Sequence, residues 1–417
     1  MARLFLRRMY RNKMFERTFC SQNASNDPPV FRPEKVLVVS KMSRYEFEKH
    51  KQPYLSEDEL RRRLAARGSN YEGLMKRHKI HTRNLESVTE ALRSHGVEVK
   101  VVQKHEYTPE KVNWADVIMS AGGDGTFLMA ASHILTREKP LIGVNTDPSR
   151  SEGFLCLPKE FSGKFSRALD RLLAGKFRWR WRNRIRITLE GYQVSLIDPV
   201  DLDDLELGAH DHLGPHRDYR YQSESDDERL LNPSERPLDA TETTVLPIRA
   251  LNEIFIGETR ASRTSYYELS VDGRRWEKQK SSGLTVCTGT GSSSWSLHIN
   301  QLTYQSTREI LRIVNEETNS RVSVDSDVMT RVMRRYNNSL MFDASEPKMT
   351  YTVRDPIING VFSVKNPRGF AKRITVRSRC WDACLAVDGG FSFQFNDGAM
   401  ASLEILPEDA LRTVILD

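Results

Sequence analysis

The hexapeptide Ala121-Gly122-Gly123-Asp124-Gly125-Thr126 places three glycines and one carboxylate between an apolar run at 116–120 and a helix-forming run at 127–135. A strand, a glycine turn and a helix in this order suit phosphate binding. Glycines let the backbone close on a bulky anion because no Cβ intervenes. The free N–H groups and the dipole of the helix N-terminus favour negative charge. A carboxylate in such a loop repels its ligand, so Asp124 needs a task, either accepting a proton from an attacking hydroxyl or holding a cation. The loop lacks the G-x-G-x-x-G spacing and the Lys-Ser/Thr of a Walker A loop. A turn that merely packs strand on helix would leave Asp124 without a purpose.

Two more constellations follow downstream. Asn252-Glu253 interrupts the apolar strand expected over 245–256. Unsatisfied buried polar groups cost ~1–3 kcal/mol each, so the pair needs partners. Asn gives and takes hydrogen bonds and Glu accepts from two sugar hydroxyls; the competing reading is an edge strand facing water. The run Thr288-Gly289-Thr290-Gly291-Ser292-Ser293-Ser294-Trp295 follows a strand at 284–287. Small and hydroxylated residues there let a ligand approach the backbone; a flexible turn has the same composition.

The elements that position these loops fall into two halves. Strands at 35–40, 97–102, 116–120 and 140–145 alternate with helices at 57–67, 74–95 and 159–175, with Gly96 as a helix C′ residue. The alternation predicts an α/β N-terminal domain over 35–177, a parallel, Rossmann-like sheet with helical layers. From 178 the period becomes two, as in Trp179-Arg180-Trp181-Arg182, and recurs at 245–256, 266–271, 284–287, 351–353, 373–379 and 383–395. Residues 178–417 therefore read as a mainly β domain with turns at Asp272-Gly273 and Asp388-Gly389. Residues 198–242 hold fourteen acids against four arginines and read as a disordered acidic insertion in that domain; its His210, His212 and His216 read as incidental.

The formal charge is +7 over 417 residues. Residues 1–26 carry Arg3, Arg7, Arg8, Arg11, Lys13 and Arg17 against Glu16, with Leu4, Phe5, Leu6, Met9, Met14 and Phe15 as apolar surface. This reads as a mitochondrial transit peptide and a matrix address. With the acidic insertion set aside the body is basic, which suits a polyphosphate ligand. No basic stripe interleaved with aromatics and no apolar run of membrane length stands out, so neither a nucleic-acid nor a membrane partner is expected. Cys20, Cys156, Cys287, Cys380 and Cys384 match no disulfide framework or zinc pair and read as reduced thiols. No protein-held metal site is expected.

Taken in order, Gly122-Gly123-Asp124-Gly125-Thr126, Asn252-Glu253, Thr288-Gly289-Thr290-Gly291-Ser292 and Val387-Asp388-Gly389 resemble the NAD kinase family. With the leader and the run Gly143-Val144-Asn145-Thr146-Asp147-Pro148, the resemblance is to its mitochondrial branch and extends from about residue 35 to the C-terminus. It implies ATP and NAD as substrates, Mg²⁺ on the ATP, homodimers, and transfer of the γ-phosphoryl group to the 2′-hydroxyl of the adenosine ribose to give NADP. It implies Asp124 as general base, with Gly122, Gly123, Gly125 and Thr126 against phosphates. Asn145, Phe154, Asn252, Glu253, Ser293, Ser294 and Asp388 become dinucleotide contacts, with Trp295 beside them. Two departures stand out: Ser282-Gly283-Leu284 where the family has Asp-Gly-Leu, and the run 147–152 before Gly153-Phe154. The glycine–aspartate loop alone also suits a lipid kinase of the diacylglycerol or sphingoid-base type, and a dinucleotide sensor without turnover would share the ribose-binding features.

Overall fold

The computed structural model describes residues 29–191, 200–202, 242–319, 322, 325–360, 362 and 366–416. The expected leader at 1–26 and most of the insertion at 198–242 lie outside them.

The first half runs β1 (Lys35–Ser40), α1 (Arg44–Lys51), α2 (Glu57–Ala66), α3 (Tyr71–Ser94), β2 (Glu98–Val102), α4 (Pro109–Trp114), β3 (Val117–Gly122), α5 (Asp124–Ser132), β4 (Leu141–Asn145) and α6 (Phe165–Leu173). Its four strands are parallel in the order β2-β1-β3-β4. β1 and β3 are apolar because α3 and α6 cover one face and α4 and α5 the other: Val36, Val38 and Met119 join a core with Leu92 and Leu169, whereas Leu37, Val39 and Ile118 join one with Val112, Phe127 and Ala130. The order reverses between β1 and β3, and the crevice at the carboxyl ends of such strands is where open α/β sheets take ligands. Helix α1 was not expected; Ser43 and Glu46 cap it reciprocally, a four-residue signal readable in the sequence.

The second half continues β5 (Arg178–Arg182), β6 (Ile185–Gly191), β7 (Val200–Asp201), β8 (Glu242–Ala250), β9 (Glu253–Glu258), β10 (Ser265–Val271), β11 (Glu277–Ser281), β12 (Leu284–Cys287), α7 (Trp295–Asn300), α8 (Tyr304–Thr318), α9 (Ser326–Ser339), β13 (Met349–Val353), β14 (Arg368–Ala371), β15 (Arg373–Ser378), β16 (Ala383–Val387), β17 (Phe391–Gln394), β18 (Met400–Ile405) and β19 (Leu411–Ile415). Among the described residues they form antiparallel sheets in the orders β11-β10-β15-β18-β6-β8 and β14-β13-β12-β9-β16-β17-β7. Their inward side chains, Ile187, Leu403, Ile374 and Leu246 from one and Ile254, Leu284, Leu385 and Phe393 from the other, share one core. Each fully buried aliphatic contributes ~1.5–3 kcal/mol. The fold class is thus an α/β domain followed by a mainly antiparallel β domain.

Local pattern and observed fold differ at four places. The strand read over 245–256 is two strands, β8 and β9, in different sheets, and Leu251-Asn252 is the corner where the chain crosses between them. Val200–Asp201, inside the span read as insertion, pairs with β17. β5 and β19 pair with each other, and Trp179, Leu411, Val414 and Leu416 pack into the first domain's cores, so the chain ends in the domain where it began. Helices α8 and α9, capped by Thr303 and Asp325, occupy a stretch with no strand signal and were not anticipated.

Candidate active site

Helix α5 begins at Asp124 directly after β3, with Gly123 as its N-cap and no side chain capping its first N–H groups. Its N-terminus therefore opens at the carboxyl edge of the parallel sheet beside the strand-order reversal. Phe154 N–H donates to Asp124 Oδ2 at 3.1 Å and Leu155 N–H to Oδ1 at 2.8 Å. Two backbone donors fix the carboxylate's rotamer while leaving lone pairs on both oxygens. Phe154 itself is 53% exposed.

The loop glycines differ in their surroundings. A Cβ on Gly122 would run into the Thr126 side chain, and one on Gly123 would stand 2.9 Å from Ser151 Oγ. At Gly125 nothing lies within 4 Å. Of the three, Gly125 is the one whose Cβ position faces open space.

Asn145 lies opposite Gly122 in the β3–β4 register and is buried. Its Nδ2 donates to Ser151 O and its Oδ1 accepts Asp147 N–H, both at 3.0 Å. Asn145 thereby closes the 147–152 run into a turn whose Ser151 rests on Gly123. Arg77 Nη1 reaches Asp147 at 3.7 Å, and Ser149 Oγ donates to it at 2.8 Å. His81, buried, links Thr146 Oγ1 at 2.9 Å to Ser40 Oγ at 3.1 Å; burial pulls its pKa to about 4, so it acts as a neutral tether from α3 to the ends of β1 and β4.

The second half of the site is organised by Asp388. This residue sits at φ 50° in the β16–β17 turn, and its carboxylate accepts N–H groups from Leu251, Asn252 and Glu253 at 2.7, 2.8 and 2.9 Å. Burial pushes its pKa to about 6 against these three donors. Asp388 is thus a clamp on the corner that carries Asn252-Glu253. Glu253 starts β9, between β12 and β16 inside the sheet, so the edge-strand reading does not hold. Its Oε2 is buried and meets no hydrogen-bond donor among the described residues. Burial, with Asp388 adding, pushes the Glu253 carboxyl to about 8. A buried carboxyl oxygen without a partner suits sugar hydroxyls, which can both give and take a hydrogen bond.

The 288–294 loop folds over this corner. Thr288 N–H donates to Asn252 O at 3.0 Å, and Thr288 Oγ1–H donates to Leu251 O. Cβ atoms on Gly289 and Gly291 would run into the carbonyls of Asp343 and Asn252. Ser293 Oγ donates to Thr290 O at 3.3 Å and Ser294 N–H to Gly291 O at 2.9 Å. Trp295 is 38% exposed, its ring 5.8 Å from that of Phe255.

Helix α5 brings the halves together. Leu251 lies in the core of Phe127, Ala130 and Ile134. Arg184, wholly buried, donates to Ala131 O at 3.1 Å and Ile134 O at the far end of α5 and through Nε to Asp409 O. Burial lowers its pKa to about 10, so it stays charged and complements the helix dipole. Arg182 donates to Thr290 Oγ1 at 3.3 Å, and Asp124 contributes to the electrostatic environment of its guanidinium. Lys41, half-buried just after β1, donates its backbone N–H to Ala121 O at 3.0 Å and so ties the end of β1 to β3. Neither arginine is among the site residues expected from the sequence; for Arg182 the one local signal is the alternation of tryptophan and arginine at 179–182, and Arg184 has none.

Residues 36–177 match the family model of the ATP-NAD kinase N-terminal domain. The chain is 49% identical over 389 residues, 93% of its length and 88% of the relative's, to "NAD kinase 2, mitochondrial" of Rattus norvegicus. It is 48% identical over 392 residues, covering 93% and 85%, to the protein of the same name from Homo sapiens. A looser likeness, TM-score 0.46 at 15% identity over 92% and 93% of the two chains, is to an NAD kinase from Archaeoglobus fulgidus solved in complex with ATP.

Proposed function

The chain belongs to the NAD kinase family, and from that premise we infer that it uses ATP to phosphorylate NAD, making NADP, with Asp124 as the general base. The observation that carries the residue assignment is the Asp124 carboxylate, held by two backbone donors at an uncapped helix N-terminus.

The chemistry needs alignment and charge neutralisation more than covalent help. In the proposed arrangement the α5 N-terminus and the open face at Gly125 receive ATP phosphates. Mg²⁺ carried on the ATP oxygens would offset their charge. Asn252 and the unfilled Glu253 oxygen take ribose hydroxyls, and Ser293, Ser294 and Trp295 border the nucleoside. Asn145 and Asp388 act through the turns they hold. Phe154 supplies an exposed ring beside the base it anchors. As the phosphorus–oxygen bond forms, the 2′-hydroxyl proton passes to Asp124.

The names of the relatives support a mitochondrial location, and the matrix is the compartment proposed from residues 1–26. A homodimer is the proposed assembly, supported by Ile310, Ile313, Val314 and Val332, which α8 and α9 leave exposed; light scattering on the purified chain checks it. No helix among the described residues is long and apolar enough to cross a membrane. A lipid kinase is not favoured, since the relatives matched over most of the chain are NAD kinases.

The test is incubation of the purified chain with Mg-ATP and NAD, read with an NADP-specific dehydrogenase. NADP formation is expected. Thermal stabilisation by NAD without product would instead assign a sensor, and the absence of both product and stabilisation would sink the dinucleotide reading.

A further inference from the structure

A strand sends alternate side chains to opposite faces, and β5 reads Trp179-Arg180-Trp181-Arg182 with its preceding Arg178. One face is aromatic: Trp179 packs against the first core, edge-on to Phe177 with centroids 4.8 Å apart and 3.8 Å under the Arg412 guanidinium. The arginines take the other face. Arg180 has a carboxylate, Asp343, at 2.8 Å. Arg182 has no such pairing within reach among the described residues. Its Nη1–H donates to the Thr290 hydroxyl at a long 3.3 Å, and its Nε–H is buried with no acceptor.

An ionised donor left unpaired in a low-dielectric site is expensive to keep. Burial pulls the Arg182 guanidinium down to about 9 and the neighbouring Arg180 adds to this, while Asp343 and Asp124 oppose it; it is still a cation at neutral pH. The position matters as much as the charge. Arg182 touches the ribose-side loop through Thr290 and lies within the electrostatic reach of Asp124 at the phosphate-side helix. Gly289 rests on the Asp343 backbone, so the whole loop is seated on the arginine-bearing face.

Resting on the proposed kinase reading, we propose that Arg182 is a further catalytic residue, its guanidinium donating to the non-bridging oxygens of the phosphoryl group in flight between ATP and the ribose hydroxyl. In the step itself, the 2′-oxygen bonds to the γ-phosphorus as the bond to the bridging oxygen breaks. The electron pair of that bond leaves with ADP, and the hydroxyl proton goes to Asp124. Arg182 makes and breaks no covalent bond. A loose transition state spreads charge over three equatorial oxygens, and a planar fork of donors matches two of them as an ammonium cannot.

The test compares wild type with R182Q, R182K and R182A in NADP formation, alongside the melting-temperature rise given by NAD alone. R182Q is expected to lose ~100- to 1000-fold in kcat while keeping the wild-type response to NAD. R182K is expected to remain at least tenfold below wild type, and millimolar guanidinium chloride to raise the rate of R182A severalfold. Folded R182Q within threefold of wild type overturns the assignment. So does a rate loss that guanidinium does not relieve and that follows a lowered melting temperature, because that pattern belongs to a strand residue needed only for folding. If R182Q does not fold, R182K decides: wild-type kcat overturns the proposal and a tenfold fall supports it. Wild type that makes no NADP takes down the parent reading as well, whereas an active wild type with an active R182Q takes down this one alone.

Discussion

The two glycine-rich loops look alike in sequence and use glycine for opposite reasons. In the 288–294 loop, Gly289 and Gly291 are glycine because the protein's own backbone occupies the space of a Cβ: the Asp343 carbonyl in one case, the Asn252 carbonyl in the other. In the 122–126 loop, Gly122 and Gly123 are similarly crowded, by Thr126 and Ser151, but Gly125 faces nothing within 4 Å. One loop is a seat, holding the Leu251-Asn252 corner against the Asp343 turn. The other is a cradle with a single vacant position on a helix N-terminus. A glycine motif therefore does not show which glycine leaves room for a ligand; what stands behind each one does.

The comparison is broken most directly at Asp124. Asp124→Asn keeps an acceptor for one of the two N–H groups of Phe154 and Leu155 and removes the base. Turnover is expected to fall ~10²- to 10⁴-fold, with melting temperature near wild type; turnover near wild type would remove the base from the cradle.

Next comes Gly291→Ala, which forces the loop off the Asn252 carbonyl. It is expected to cost ~1–3 kcal/mol of stability, read as a lower urea midpoint, and to weaken NAD binding. Unchanged stability would mean that the seat yields and that the contrast between the loops is overstated.

Gly125→Ala is the complementary probe. It sits in the first turn of α5, where Ala favours a helix by about 0.5–1 kcal/mol over Gly, so stability should hold or rise slightly. Its added methyl stands where phosphate is proposed to dock, so the KM for ATP should climb severalfold while that for NAD stays. A shift in the NAD term alone would relocate the phosphate.

The last probe is electrostatic. Folding lifts the Glu253 carboxyl from about 4.3 in an unfolded chain to about 8. Between these values the folded state binds more protons, so the contribution of Glu253 to stability is complete below about 4.3, declines as pH rises through the window and levels off above about 8. Glu253→Gln does not titrate. Its melting temperature relative to wild type should rise from pH 5 to pH 8, and a difference that stays flat over that range would show that the carboxyl is not desolvated as described.

Much of this was legible in the sequence because it is local. A strand read at 116–120 and a helix read at 127–135 follow from an apolar run, small residues and a helix-forming run in order; packing extends the strand to Gly122 and starts the helix at Asp124, so the turn shrinks to Gly123. The parallel sheet follows from alternating periods, and the β-rich half from period two. The strand pair hidden in 245–256 was not legible, since nothing local marks Leu251-Asn252 as a crossing between sheets. Nor were α8 and α9, whose amphipathic pattern was masked by the β texture around it. Asn252-Glu253 was picked out correctly as a polar interruption, but the alternative of a wet edge strand fell only when β12 and β16 were found on either side of β9.

The sequence by itself determined the chemistry on offer: a carboxylate at a glycine turn, an Asn-Glu pair, a hydroxyl-rich loop and the order in which they come. Residue type and near-neighbour geometry are properties of a short stretch of chain. Only the tertiary structure decided how those groups are held. Asp388 reaches the Asn252 amide across 136 residues, Arg182 reaches Thr290 across 108, and Arg184 reaches the end of α5 across 53. Contacts over such separations depend on how two domains close on one helix, a property of the packed whole that no local pattern encodes.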